Sequence, residues 1–356
     1  MAESTFADEL TASPELFPFA FQQDSDAVAF LRLSRADYAK ASFLDARMLA
    51  PSVMGDPIAW EQVQSAAAAL PRRCHFIFHI SHVGSTLLSR LLGDAPGLFS
   101  LREPKMLRTL ADVRLQLGKP DCPWNAAEFN QRLATLLGLW SRTFEPSETS
   151  VIKATSFVSE MSELLLERVP TSRAILLIVS PVTFLAALLD GAMSDITGQA
   201  ERRLNRLHQR LGYEHWRLAN LSPGECVAMS WLCEVSSLHA AAARFPERVF
   251  WLDFDHFLTV PTGGLAASLR HLRIEADEST VRSLLAQPTM QQYAKNPETA
   301  FDVGTRKQLL QQSLEVHKDE IKKGLNWLFR TAKLPGVGRM IAEIQAAVER
   351  PFDDKN

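Results

Sequence analysis

The stretch His79-Ile-Ser-His-Val-Gly-Ser-Thr-Leu-Leu-Ser89 decides the fold. It follows an apolar run, Cys74-His-Phe-Ile-Phe78, and continues into Leu87-Leu-Ser-Arg-Leu-Leu92. A short apolar run, a polar turn with one glycine and a helical apolar pattern read as strand, tight turn and helix. Such a turn aims several backbone N–H groups and the positive end of a helix at one point, which suits a phosphate or sulfate. Gly84 permits close backbone approach to an anion. The N–H groups of Gly84, Ser85 and Thr86 form the expected cradle, with the Ser85 and Thr86 hydroxyls as further donors. Ser89 and Arg90 lie one turn further, and Arg90 is long enough to reach a phosphate. The same pattern also describes a buried strand, a turn and a helix cap without a ligand.

The loop departs from the G-x-x-x-x-G-K-[ST] pattern of nucleoside-triphosphate loops. His79 stands at the first Gly and Ser85 at the Lys, so that only Gly84 and Thr86 are in register.

Outward from the loop, strand and helix patterns alternate. Strands are expected at 74–80, 98–101, 150–154, 174–179 and 248–253, and helices at 86–92, 105–117, 126–143, 157–169 and 182–193. This alternation predicts an α/β fold with a parallel sheet covered on both faces by helices. Ligands then bind beyond the C-terminal strand ends, where the loop falls. Residues 1–70 are expected to form a helical extension packed on the core. It contains a helix over 34–49 capped by Ser34 and another over 57–69 opened by Asp56 and Pro57, while 17–21 reads as apolar and irregular. Residues 194–245 are helical in pattern, with basic residues around a helix at 201–210. The C-terminal part is helical too: one long helix over 306–332, then a helix and tail over 336–356.

The chain has 356 residues, 46% hydrophobic and 22% charged, with a net charge of -3. That is an ordinary globular composition. It has no global positive field for nucleic acid, so any anion site is local. The apolar runs, such as 174–179, are of strand length, and no membrane association is expected. The acidic N-terminus does not read as a signal peptide. Four scattered cysteines show no metal spacing and are expected as free thiols in a cytoplasmic protein. Oligomeric state is not legible.

Ser81-His-Val-Gly-Ser-Thr86 resembles the phosphosulfate loop of sulfotransferases, roughly P-[KR]-S-G-[ST]-T after the first strand, and 87–92 is close to the helix of bacterial members. Met290-Gln-Gln-Tyr-Ala-Lys-Asn-Pro297 is similar to the segment before that family's C-terminal nucleotide-binding loop. The resemblance spans scattered motifs within 72–330. It implies a sulfotransferase-like P-loop domain over 71–335 and 3'-phosphoadenosine 5'-phosphosulfate as donor. It further implies transfer of a sulfuryl group to a hydroxyl or amine of a small-molecule or peptide acceptor, with no metal needed. The family's loop Lys or Arg is His82 here, and its Arg-x-Pro that holds the 3'-phosphate is Val179-Ser-Pro181. A Ser beyond that Pro is Ala187, and its R-K-G segment is absent unless Arg306-Lys307 stands in.

The resemblance assigns roles to particular residues. His82 faces the bridging oxygen of the transferred group, where an imidazolium beside an anionic neighbour would replace Lys or Arg. Glu103, at the end of the second strand beside the anion loop, is the expected general base, with Arg102 pairing with it or holding ligand. Lys153 ends the third strand facing the phosphate site, and Thr155 stands where cytosolic members carry a catalytic His. Tyr293, Lys295 and Arg306 complete the donor site, and Arg306 is a candidate for the missing 3'-phosphate ligand beside the helix arginines Arg202, Arg203 and Arg206. A solvated helix face is the plainer reading of those three. Asp253 and Asp255 read as caps of a turn, or as metal ligands as in P-loop kinases. Two other functions stay open: an ATP-dependent phosphotransferase on the same fold, and a non-catalytic nucleotide-fold binding protein.

Overall fold

The computed structural model describes residues 5–22, 25–47, 56–293, 296–300 and 303–352, with the side chains of 293 and 296–300 left out. The first elements correct the expectation of a purely helical extension. Strands β1 (Leu16–Phe21), β2 (Ala27–Arg32) and β3 (Ile58–Ala59) form an antiparallel sheet. The apolar 17–21 segment, taken as irregular, therefore has a partner: Phe17 lies opposite Leu31 and Phe21 opposite Val28. Pro57 does not open a helix. Ile58 and Ala59 pair with Val28 and Ala27, and the helix starts at Trp60. Ser34 does cap a helix, with a capping box to Asp37, but that helix is only Arg35–Lys40.

The main sheet consists of β4 (Cys74–His79), β5 (Leu98–Arg102), β6 (Thr149–Lys153), β7 (Ala174–Ile178) and β8 (Val249–Asp253). All pairings are parallel, in the order β5-β6-β4-β7-β8. β4 to β7 are buried along their whole length, which explains why each has an apolar centre without strict alternation. A short hairpin of β9 (Gln292–Tyr293) and β10 (Asn296–Ala300) follows. Helices cover the main sheet as expected, and the expected long C-terminal helix is two, Val303–Val316 and Lys318–Thr331.

The helix Pro223–Arg244 is long and apolar enough to cross a bilayer, contrary to the reading of short apolar runs, but 72% of its apolar stretch is buried in the protein. All four cysteines are free thiols.

The arginine helix, Ala200–Leu211, is not a solvated face. Arg203 and Arg206 are buried. Glu234 of the long helix accepts from Arg203 Nε at 2.9 Å and from Arg206 Nη2 at 3.2 Å, and Ser159 donates to it as well. Arg202 pairs with Asp112 and, at 2.6 Å, with Glu160. A fully buried carboxylate needs this company: burial alone would push the Glu234 carboxyl up, but the neighbouring Arg206 and Arg203 hold it below the ordinary range.

Candidate functional site

The loop between β4 and the helix Ser85–Gly93 crosses the C-terminal edge of the sheet at its central strand. Ser81, His82 and Gly84 have φ of 81°, 52° and 69°. Left-handed backbone costs most residues energy, and its clustering in a turn is how successive N–H groups come to point inward. Val83 is fully buried between them and anchors the turn. Gly84 is required twice over: by its φ, and because a Cβ there would lie 2.0 Å from the Phe254 ring. The Thr86 hydroxyl is buried in the loop and has no hydrogen-bond partner among the described residues. Buried hydroxyls are normally satisfied, so this one fits an anion seated in the loop.

The loop opens into a cleft of about 830 Å³. His79, Ser81, His82, Gly84, Ser85 and Thr86 line it, as do Glu103, Lys153 and Arg306 from other strand ends and helices. The His82 imidazole has its anionic neighbour: Nε2 lies 3.1 Å from Asp195 Oδ2. Arg306 pairs with Asp255 at 2.6 Å, and Asp255 also accepts from Thr183 at 2.8 Å. Asp253 caps the helix Phe254–Thr259 by accepting from the His256 N–H at 2.9 Å.

Glu103 has a φ of 53°, so the chain kinks where β5 ends and turns this buried carboxylate into the cleft. Lys153 Nζ donates to its Oε1, and Arg47 Nη2 donates to Oε2 at 2.8 Å. Burial works to raise the Glu103 carboxyl, but the Lys153 charge, with His79 and Arg47, outweighs it and holds the group well below the usual carboxylate range. Arg47 stacks on Phe43 at 3.7 Å, and Lys153 Nζ is 5.2 Å from the same ring. This strap is fixed to the sheet edge: the Leu44 N–H donates to Arg102 O at 2.7 Å, and the Lys105 N–H to Leu44 O at 3.2 Å.

Several expected site residues are elsewhere. Ser89 is fully buried, and its hydroxyl bonds Ser100 at 2.6 Å against the sheet. Arg90 donates to Ala39 O at 2.8 Å, Lys40 O at 3.1 Å and Ser42 at 2.9 Å. Arg102 neither pairs with Glu103 nor faces the cleft; it donates to Ala41 O at 2.7 Å and to Tyr38 O. Both arginines answer the unpaired carbonyls at the end of the helix Arg35–Lys40. Of the three candidates for the 3'-phosphate on the arginine helix, only Arg203 lines the cleft, with its guanidinium already bonded to Glu234; the fourth candidate, Arg306, lines it too. Tyr293 is in β9, and Lys295 lies outside the described residues.

Arg47, Phe43, Arg108, Phe157 and Phe254 line the cleft and were missed in the sequence. Arg108 had a legible signal, being one turn into the helix that follows Glu103. The others are brought in by packing.

No family model and no curated protein matches the chain. Several solved structures similar to it are sulfotransferases, bacterial and mouse, at low identity. The sulfotransferase domain from the curacin biosynthetic pathway is 16% identical with a TM-score of 0.45, over 80% of this chain and 100% of that one. A mouse sulfotransferase complexed with PAP is 10% identical with a TM-score of 0.42, over 80% and 94%. A Mycobacterium avium sulfotransferase is 18% identical with a TM-score of 0.39, over 87% and 88%.

Proposed function

We propose that this chain is a sulfuryl transferase that moves the group from 3'-phosphoadenosine 5'-phosphosulfate to a hydroxyl or amine. The observation that carries the reading is the loop: left-handed Ser81, His82 and Gly84, and a buried Thr86 hydroxyl with no hydrogen-bond partner among the described residues, at the mouth of a cleft lined by Lys153 and Arg306. The resemblance of Ser81–Thr86 to a phosphosulfate loop selects sulfate over phosphate, as does Ser85 where a triphosphate loop has Lys.

In the transfer, the bond from sulfur to the nucleotide's phosphate oxygen breaks as sulfur bonds the acceptor oxygen or nitrogen in line. The loop N–H groups, His82 and Lys153 stabilise charge on the transferred group and on the leaving phosphate. The acceptor proton goes to Glu103, which its pairing keeps ionised and ready to accept. The same pairing makes it a weak base, so proton transfer accompanies the build-up of positive charge on the acceptor oxygen or nitrogen as its bond to sulfur forms, and does not precede it.

The 3'-phosphate is the point of strain. The Val179 carbonyl accepts from Trp231 Nε1 at 3.1 Å, and Ala187 offers the cleft no polar atom. We assign the 3'-phosphate to Arg306, which lines the cleft with Ala187 and would exchange Asp255 for it. A charge-assisted bond to phosphate contributes about 1.5–3 kcal/mol. The full chain should therefore bind adenosine 3',5'-bisphosphate at least about tenfold more tightly than AMP by calorimetry. Equal affinities would defeat this reading and promote an ATP-dependent phosphotransferase.

A further inference from the structure

Strand order divides the cleft into two halves around the loop, which follows the central strand β4. On the β7 and β8 side lie Ala187, Phe254, Asp255 and Arg306. On the β6 and β5 side lie Lys153, Glu103, Arg47 and Arg108. With the nucleotide over the first half, the acceptor approaches sulfur from the second, where Glu103 waits for its proton. The chemistry of that half then states what the acceptor carries.

Its carboxylates are already taken. Glu103 has Lys153 and Arg47, and Asp45 shares Arg47. Asp112 and Glu160 have Arg202, and Glu160 also has Arg206. Arg108 is exposed, lines the cleft, and forms no ion pair among the described residues. Its guanidinium rests 4.8 Å from the Phe157 centroid, and Arg202 lies 4.7 Å from the same ring. Phe157 thus supports Arg108 at the cleft wall, and stacking on a ring face uses none of the guanidinium's N–H donors. The ring faces of Phe43 and Phe157 are occupied by guanidinium groups, so this half does not offer a bare aromatic platform. It offers an exposed cation, stacked on Phe157, in the same cleft as the base and with no ion pair among the described residues.

Resting on the sulfuryl-transfer reading above, we infer that the acceptor carries an oxyanion (carboxylate, phosphate or sulfate) near the group to be sulfated, and that Arg108 receives it. Arg108 is then a specificity determinant that binds substrate and leaves the donor alone.

The test uses the full chain saturated with adenosine 3',5'-bisphosphate and titrated calorimetrically with 4-hydroxyphenylacetate and its neutral isostere 4-hydroxyphenylacetamide. The acid should bind about tenfold more tightly or better, as expected for a gained charge-assisted contact. Arg108→Gln should reduce that preference to within about threefold, and Arg108→Lys should restore part of it, with the affinity for the bisphosphate unchanged in both. Equal binding of acid and amide, no binding of either, or a preference that survives Arg108→Gln overturns the inference. So does weakened bisphosphate binding in Arg108→Gln, which would place Arg108 in the donor site. The two readings fail separately: a wild-type chain that binds no bisphosphate refutes the donor assignment and this inference with it, whereas one that binds it without favouring the acid refutes this inference alone.

Discussion

The charged pairs on the two sides of the cleft differ in what they can give up. On the β7 and β8 side, Arg306 pairs with an Asp255 side chain that is 34% exposed. At the loop, His82 pairs with an Asp195 side chain that is 63% exposed. On the β5 and β6 side, Lys153 and Glu103 pair at 1% and 6% exposure. With Arg306 20% and His82 22% exposed, both aspartate pairs are half-buried and reach water, which screens such pairs more than dry ones, so an anionic ligand displaces the aspartates at a lower cost than it would a buried partner. Breaking a buried pair from one side costs about 3–5 kcal/mol, because the survivor stays charged and dry. The cleft thus has an exchangeable half, suited to a ligand that comes and goes, and a fixed half that holds a charge pattern ready for reaction.

The strongest way to break this comparison is on the fixed side. Glu103→Gln should lower turnover by roughly 10²–10⁴-fold if Glu103 takes the proton, and should destabilise the protein by about 3–5 kcal/mol in urea unfolding. Glu103→Met combined with Lys153→Met should recover most of the stability and none of the activity. Full recovery of both would reduce the pair to a packing element. The pairing also fixes a pH signature. Because the folded-state pKa of Glu103 is depressed, its stabilisation is fully present above the unfolded carboxyl's value of about 4.3 and is lost as pH falls below it. Turnover should therefore show no acid limb from Glu103 between about pH 5 and 8. A limb in that window abolished by Glu103→Gln would show the carboxyl is not held down.

The loop comes next. Gly84→Ala forces a Cβ into the Phe254 ring and a left-handed alanine. Bisphosphate affinity should fall by roughly a hundredfold, the size expected from losing about two charge-assisted contacts. Adding Phe254→Ala removes the overlap but leaves a left-handed cost of about 1–2 kcal/mol, so recovery should be partial. Normal binding by Gly84→Ala would dismiss the loop as an anion site.

The smallest effect sharpens the exchangeable side. Asp255→Asn removes the competitor for Arg306 and should tighten bisphosphate binding by about two- to fivefold, with stability changed by less than about 1 kcal/mol. Weaker binding would mean that Asp255 orients Arg306 for the ligand instead of competing with it.

The five strands of the parallel sheet were legible within a residue or two because each carries a short apolar stretch between turn residues, four of them buried along their whole length. The N-terminal strands were not. The 17–21 run has no alternation to read, and its partner strand is set by tertiary pairing with Leu31 and Val28. The helix expected over 34–49 fails for a related reason. Ala41 to Arg47 have ordinary helical propensity, but Arg90 and Arg102 terminate the helix by binding its last carbonyls, and Leu44 pairs with the strand end instead.

The sequence by itself determined the glycine turn after β4 and the strand ends that carry Glu103 and Lys153, because strand, glycine turn and helix are local patterns. It also named Arg306. Only the tertiary structure decided which cations are available. Local sequence cannot show that Ser89 turns to Ser100, that Arg90 and Arg102 serve a helix end, or that Arg203 and Arg206 are consumed by Glu234. Nor can it show that Arg47, 56 residues away in the chain, closes on Glu103 while Arg108, only a turn beyond that carboxylate, is left without an ion pair among the described residues. A guanidinium's role is set by the acceptors nearest to it in space, carboxylate or carbonyl, and those distances exist only after the chain has folded.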